Sequence, residues 1–203
     1  AFTQARLIGD AAANASDIVD RQLPGLPQVV VNEPKKYDIP GAFHHSKVTT
    51  DLSFVNKRNE AADKDRLKSD NTADYTRLKP EDITKVVKSY NFGDKHGIGV
   101  LFVVEGLNKT EKRASMYVTI IDMDRKNVLL TERYTGKAQG FTWRNYWAYT
   151  IYKVLDDVED DYKGWKEKYA NAVDPAEETA AAPAPAPKKD SKAGAAKKAK
   201  KKG

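Results

Sequence analysis

The clearest hydrophobic pattern of the chain consists of three strand-length apolar stretches, at residues 98–106, 114–123 and 128–137. The first has apolar residues on both of its faces, which is typical of a strand covered on both sides. Short polar turns at residues 108–113 and 124–127 separate the three stretches. Because connections this short join antiparallel neighbours, the pattern predicts three consecutive antiparallel strands.

The longest helical pattern follows at residues 142–162. Spacings of three and four place seven apolar residues on one face of a helix, so we expect this face to pack on the sheet. All three tryptophans of the chain lie on it, which marks it as the expected centre of the core. The seven residues are Trp143, Trp147, Ile151, Val154, Val158, Tyr162 and Trp165.

Weaker patterns predict two more helices, at residues 1–23 and 80–91. Pro24 and Gly25 are expected to end the first helix, and Pro80 suits the first position of the second. Residues 29–31 and 48–55 are typical of short strands, whereas residues 56–71 form either a solvated helix or a loop. The whole pattern predicts an α/β (α+β) fold, with a mainly antiparallel sheet of four to five strands packed against helices.

The charge of the chain is concentrated at its end. Residues 188–203 carry eight lysines and one aspartate, a net charge of +7, whereas residues 1–187 carry 27 basic and 28 acidic groups, a net charge of −1. Residues 176–187 are rich in alanine and proline, which favours an extended linker. We therefore expect one globular domain over residues 1–174 and a disordered basic tail over residues 175–203.

The basic tail is a candidate for binding polyanions such as nucleic acid, anionic lipid or acidic glycan. It contains neither arginine nor aromatic residues, so such binding would be unspecific and sensitive to salt. A solubilising terminus is the alternative interpretation. The candidate contacts are Lys188, Lys189, Lys192, Lys197, Lys198, Lys200, Lys201 and Lys202.

A second candidate surface is the start of the long helix, where residues 140–147 are unusually rich in the residue types that protein interfaces favour. Near the end of the same helix, five carboxylates cluster at positions 156, 157, 159, 160 and 161. They form a cation site, an intramolecular dock for the lysine tail or a solvated helix face. The candidate interaction surface consists of Phe141, Trp143, Arg144, Tyr146 and Tyr149.

Several kinds of chemistry have no support in the sequence. The chain has no cysteine, which excludes disulfides, cysteine nucleophiles and thiolate metal sites. His44 and His45 are adjacent and would point in opposite directions in an extended chain, which is unsuited to one metal ion. No nucleophile–base pair stands out, so we predict no catalytic residue, no cofactor and no metal site. No apolar run approaches the roughly 20 residues that span a bilayer.

The segment from Gly97 to about Trp165 resembles a family of bacterial envelope proteins, mostly of unknown function. The resemblance rests on the stretches Gly-Ile-Gly-Val-Leu-Phe at 97–102, Leu-Leu-Thr-Glu-Arg at 129–133, Gly-Lys-Ala at 136–138 and Arg-Asn-Tyr-Trp-Ala at 144–148. More distantly, the segment is similar to periplasmic domains of curli-export lipoproteins and of lipoprotein activators of penicillin-binding proteins. Those domains resemble anticodon-binding α/β folds and act through protein contacts rather than catalysis.

The first residue, Ala1, favours a mature exported protein whose signal peptide has been removed. Removal of an initiator methionine before alanine, or shortening of the chain, would explain it equally. Together with the resemblance, it leads us to expect a secreted or periplasmic, non-catalytic protein that binds a partner protein in the envelope. The alternative is a polyanion-binding protein that acts through its basic tail.

Overall fold

The structure, a computed structural model, describes residues 1–169, in which two short strands and a series of short helices precede three long strands and a long final helix. The eight lysines of the predicted polyanion contact lie outside the described residues. The strands are β1 (Arg6–Ile8), β2 (Lys68–Ser69), β3 (Ile98–Asn108), β4 (Arg113–Asp122) and β5 (Asn127–Lys137). The α-helices are α1 (Ala15–Asp17), α2 (Leu23–Asn32), α3 (Ile39–Ala42), α4 (Ser53–Asn59), α5 (Pro80–Lys88) and α6 (Trp143–Lys168).

The three predicted antiparallel strands are confirmed as β3, β4 and β5. Val104 pairs with Met116 across the first interface, and Met116 pairs with Tyr134 across the second. The register of β3 shifts at residue 105, between Val104 and Gly106. This irregularity places a glutamate, Glu105, in the middle of an otherwise apolar strand that is buried on both faces.

The sheet is mixed, so the prediction of a mainly antiparallel sheet is wrong. Its strand order is β2-β1-β3-β4-β5, and β1 runs parallel to both β2 and β3. Two of the four strand pairings are therefore parallel. The fold remains α+β, with five strands, because the short β1 enters beside the meander instead of forming the first half of a helix.

The predicted helix at residues 1–23 is therefore wrong in its first half. Ala5 and Ile8 have helical spacing, but Ile8 belongs to β1 and is followed by Gly9, whose φ of 72° lies in the left-handed region. Both residues are buried beside β3, where backbone pairing with the sheet outweighs a weak helical pattern.

Two predicted strands are also wrong, because both segments contain helix. Pro24 is the second residue of α2 and follows a π-helical turn at Ile18–Gln22, so the helical run that begins at residue 15 continues through it. Residues 29–31 belong to α2, which buries Leu23, Leu26 and Val30 at helical spacing. Residues 48–55 contain no strand, and their last three residues begin α4.

The sheet is covered on both faces, as predicted for β3. On one face, α2 and α6 pack on Val104, Met116 and Val118. On the other face, α5 packs on residues that include Val103 and Tyr117. The predicted helix 142–162 is confirmed and extends to Lys168, and the predicted helix 80–91 is confirmed as α5. None of the helices within residues 1–169 has the length and apolarity to cross a membrane.

Candidate functional site

The most deeply buried charge of the described residues is the carboxylate of Glu105, whose side chain is 0% exposed. Ser115 Oγ donates a hydrogen bond to it at 2.9 Å and Arg133 Nε at 3.1 Å, and the backbone N–H of Leu78 is a third donor. Arg133 and the hydroxyl of Tyr117 also donate to the carbonyl of Leu78. The bonds of this network join strands β3, β4 and β5 to one another and to the segment before α5, so we assign it a structural role.

Two of the five predicted surface residues hold α6 in place. Arg144 donates from Nε to Gln22 Oε1 at 3.2 Å and from a terminal nitrogen to the carbonyl of Arg21 at 2.8 Å. Trp143 is half-buried, and its ring meets that of Trp147 at 6.3 Å in an edge-to-face arrangement. Trp143 also packs against the core cluster that α2 and the sheet share, so both side chains fasten the start of α6 to the remainder of the domain.

The other three predicted residues do not lie together. Tyr149 is half-buried, with its ring 5.3 Å from that of Tyr152. Tyr146 packs edge-to-face on Trp147 at 4.9 Å and carries the ammonium of Lys109, from the β3–β4 turn, 4.0 Å above its ring. The structure thus places Tyr146 near the turns at the end of the sheet and Tyr149 beside another aromatic residue of α6.

Phe141 is the most exposed large apolar residue of the described chain, at 108% of its reference area. Gly140 precedes it with a φ of 144°, and a Cβ at that position would lie 3.0 Å from the backbone nitrogen of Tyr146. Thr142 follows it and caps α6 by accepting a hydrogen bond from the backbone of Asn145 at 3.4 Å. The flanking backbone therefore holds the phenylalanine ring out in solvent.

Lysines accompany Phe141 at this end of the sheet. The carbonyl of Lys112 accepts a hydrogen bond from Ala138 N at 2.7 Å, which brings the β3–β4 turn to the end of β5. Lys109, Lys112 and Lys137 are all exposed. We call the set of Phe141, Tyr146, Lys109, Lys112 and Lys137 the Phe141 surface. It combines an aromatic residue in solvent with a basic surrounding.

The predicted acidic cluster lies on the second half of α6. Asp156 pairs with Lys153 at 2.8 Å, and Asp161 accepts a hydrogen bond from the hydroxyl of Tyr134 at 2.8 Å. Burial, followed by the negative charges of Asp156 and Asp161, raises the pKa of Asp157. Within residues 1–169, no set of three or more histidine or carboxylate side chains is arranged to hold a metal ion.

A groove that the sequence did not reveal opens beside this cluster, between β5 and the end of α6. It has a volume of about 390 Å³ and is lined by residues 132–134 of β5 and by Asp161, Gly164, Trp165 and Lys168 of α6. Tyr134 and Trp165 pack edge-to-face at 6.0 Å along it. These two residues are far apart in sequence, and the one local signal was a glycine, Gly164, inside a long helical pattern.

Asp124, in the predicted turn 124–127, and the histidines His96 and His44 have local contacts. Asp124 accepts a hydrogen bond from Gly97 N at 2.8 Å and contacts the ring of His96, and the Gly97 bond, together with His96, lowers the pKa of the Asp124 carboxyl. His44 stacks on the ring of Tyr162 at 4.9 Å. Both histidines therefore belong to turn and packing contacts.

Comparison of the chain with models of protein families, with curated proteins and with solved structures finds no match. The resemblance to bacterial envelope proteins accordingly stays a prediction from the residues between Gly97 and Trp165.

Proposed function

We propose that this protein is a non-catalytic interaction module of the bacterial envelope that is exported and contacts a partner protein through the Phe141 surface. The observation that carries the proposal is the fully exposed ring of Phe141, held in solvent between Gly140 and the helix cap Thr142. Burial of a phenylalanine contributes about 1.5–3 kcal/mol, which a partner would gain on binding.

The composition of this surface indicates the chemistry of the partner. An aromatic residue at the centre with charged residues around it is the usual arrangement of a protein interface. Lys109, Lys112 and Lys137 are exposed at the same end of the sheet as Phe141. The surface therefore fits an apolar pocket that has carboxylates on its rim, and the lysines would steer such a partner and set its orientation.

We propose a non-catalytic protein because of the burial and the hydrogen-bond partners of its titratable groups. A general acid or base has to reach a substrate in a cleft. Glu105 is satisfied by Ser115, Arg133 and the backbone of Leu78, and it is closed to solvent. The open groove beside α6 contains charged and aromatic side chains without a nucleophile–base pair among its lining residues.

Site-specific photocrosslinking in the source cells tests the proposed contact. A crosslinking amino acid at position 141 should capture one defined partner, and one at position 48, whose valine is also exposed, should not. Phe141→Ser and Lys112→Glu should each abolish recovery of that partner, whereas the matched control Leu129→Ser should leave it unchanged. Equal recovery with Phe141→Ser would contradict the proposal, as would fractionation of the protein with the cytoplasm.

The lysine-rich tail supports a second candidate function, which is binding of a polyanion. The supporting observation is its net charge of +7 over residues 188–203. Each phosphate contact adds about one unit to the slope of affinity against salt concentration on a logarithmic scale. The affinity of the full chain for heparin or DNA should therefore fall steeply as the salt concentration rises. A chain ending at Asp174 should not bind. Retention of binding by the shorter chain would reject the tail as the contact.

A further inference from the structure

The two edges of the sheet differ greatly in length. One edge is β2, which has two residues, and the other is β5, which has eleven. β5 pairs only with β4, and no backbone–backbone hydrogen bond joins its outer side to another segment of residues 1–169. A long open edge is a template for another strand, and proteins usually shorten or cover such edges.

The groove beside α6 opens directly onto this edge. Side chains at positions 132 and 134 point to the face that α6 covers, whereas that of Arg133 points to the opposite face, toward Glu105. All three residues nevertheless line the groove. Because β5 is the edge strand of the sheet, a groove lined by three consecutive residues of β5 lies beside the outer N–H and C=O groups of this strand.

Gly164 keeps the groove open on the side of α6. A Cβ added there would meet nothing within 4 Å, so no close contact with the described residues requires a glycine. Glycine inside a helix costs about 1 kcal/mol relative to alanine. Gly136 shows the opposite case, because a Cβ there would come within 2.1 Å of the carbonyl oxygen of Thr150.

Two cations line the groove, Arg133 and Lys168, and both are paired, Arg133 with Glu105, so the unpaired charge around the groove is acidic. Asp157 and Asp160 lie one helical turn before Asp161 and Gly164 and share their face of α6. None of these three aspartates makes an ion pair within residues 1–169, whereas Lys168, the cation of the groove on α6, is bound to Glu132 at 2.6 Å. Burial, followed by the negative charges of Asp156 and Asp161, raises the pKa of Asp157, and a cation from outside would relieve the repulsion between these carboxylates.

We infer that this groove binds an extended, lysine- or arginine-rich segment of a partner protein, which adds to the open edge of β5 as a sixth strand. Alternate side chains of the added strand lie on the α6 side of the sheet. There a lysine stem covers Trp165 at Gly164, and its ammonium reaches Asp160 and Asp161. This site is separate from the Phe141 surface.

A second copy of this chain is a poorer occupant. Full-length antiparallel pairing of β5 with itself about a two-fold axis is centred on Glu132, the middle residue of the strand. It sets this glutamate opposite its own copy and brings two acidic α6 faces together, and like charges placed opposite each other destabilise strand pairs. The charge of the groove therefore favours a basic partner.

The test measures binding of a fluorescently labelled decapeptide of alternating lysine and valine to the full chain at moderate salt. The peptide should bind, and a glutamate–valine peptide of the same length should not. Methylation of alternate backbone nitrogens should abolish binding, because it removes the donors of the added strand. Gly164→Leu, which fills the groove, should weaken binding by at least about tenfold, while Lys163→Leu, the adjacent exposed position, should not.

A second variant, Asp160→Asn combined with Asp161→Asn, should weaken binding without adding bulk, and Phe141→Ser should leave it unchanged. Equal affinity of wild type and Gly164→Leu would overturn the site, and equal affinity of the methylated peptide would overturn strand addition. Absence of binding at millimolar peptide would overturn the basic occupant. A concentration-dependent dimer that Gly164→Leu abolishes would assign the groove to a second copy instead.

Discussion

The two halves of helix α6 contact the sheet in different ways. In the first half, residues 143–155, the helix comes so close to β5 that the backbone of Thr150 fills the position of a Cβ on Gly136. Trp147 is 1% exposed there, and Ala148 and Val154 are fully buried. In the second half, residues 156–168, only Val158 and Trp165 are buried, and the space beside Gly164 is open.

The polar groups of the two halves differ in the same way. In the first half, Arg144 is bonded to Arg21 and Gln22, and the hydroxyl of Thr150 donates to the carbonyl of Trp147 at 2.7 Å. In the second half, the carboxylates of Asp157 and Asp160 have no cationic partner within residues 1–169. The first half therefore builds the domain, whereas the second half leaves charges and space exposed.

The largest expected effect on the free energy of unfolding comes from shortening a buried side chain in the first half of α6. Trp147→Ala removes a fully buried indole that contacts Trp143 and Tyr146, and such changes cost about 3–5 kcal/mol. Urea denaturation should show this loss, and the exposed Phe141→Ala should shift the free energy of unfolding by less than about 0.5 kcal/mol. A similar small loss for Trp147→Ala would show that the two halves are packed alike.

Strand β5 differs between its inner contacts and its unpaired edge. A substitution of Arg133, which bonds to Glu105, tests the inner contacts. Arg133→Met leaves Glu105 buried without its cation, which should cost about 3 kcal/mol, somewhat reduced because a third of the arginine side chain is exposed. The double variant Arg133→Met with Glu105→Gln should recover part of this loss in a double-mutant cycle. Additive losses would mean that the two side chains are not coupled.

Replacing Gly164, which lies in α6, and Gly136, which α6 contacts, by alanine should change the free energy of unfolding in opposite directions. Gly164→Ala should raise the free energy of unfolding by up to about 1 kcal/mol, because it improves helix propensity in open space. Gly136→Ala should lower it, because its methyl group would collide with the Thr150 carbonyl. Thermal melts of both variants measure the signs, and a destabilised Gly164→Ala would indicate that α6 is closely packed at both ends.

The smallest expected effect concerns the charge of the open half. Because the folded pKa of Asp157 lies above its unfolded value, ionisation of Asp157 favours the unfolded chain. The free energy of unfolding therefore falls as the pH rises from the pKa of Asp157 in the unfolded chain through its higher pKa in the folded chain. Asp157→Asn should accordingly stabilise the protein slightly at pH 7. At a pH below both values the variant should have no advantage. An equal gain at both pH values would point to a cause other than charge.

The second part of the chain was predicted well because its signals are local. Strands β3, β4 and β5 are joined by turns of four residues each, and α6 has its apolar residues at helical spacing. The same kind of local pattern was misleading at residues 1–23, since β1 is only three residues long and is stabilised by neighbours that are distant in sequence. Pro24 was misleading as well, because a π-helical turn at residues 18–22 leads directly into α2 and the helix does not end at this proline.

The candidate sites divide similarly. Phe141 could be predicted, because it stands in an unusually aromatic stretch, but the sequence did not separate it from Trp143 and Arg144, which the structure uses to hold α6. The groove could not be predicted. It is formed by β5 and the end of α6, which are separated along the chain by the whole first half of that helix.

The sequence by itself determined the meander, helices α5 and α6 and the apolar face of α6, because periodicity and short turns act between residues near each other in the chain. Only the tertiary structure decided that β1 lies parallel to β3, that Glu105 is buried against Arg133, and that α6 leaves a groove at Gly164. Each of these depends on pairing and close approach between distant segments. Their free energy comes from burial and hydrogen bonding that no local pattern records.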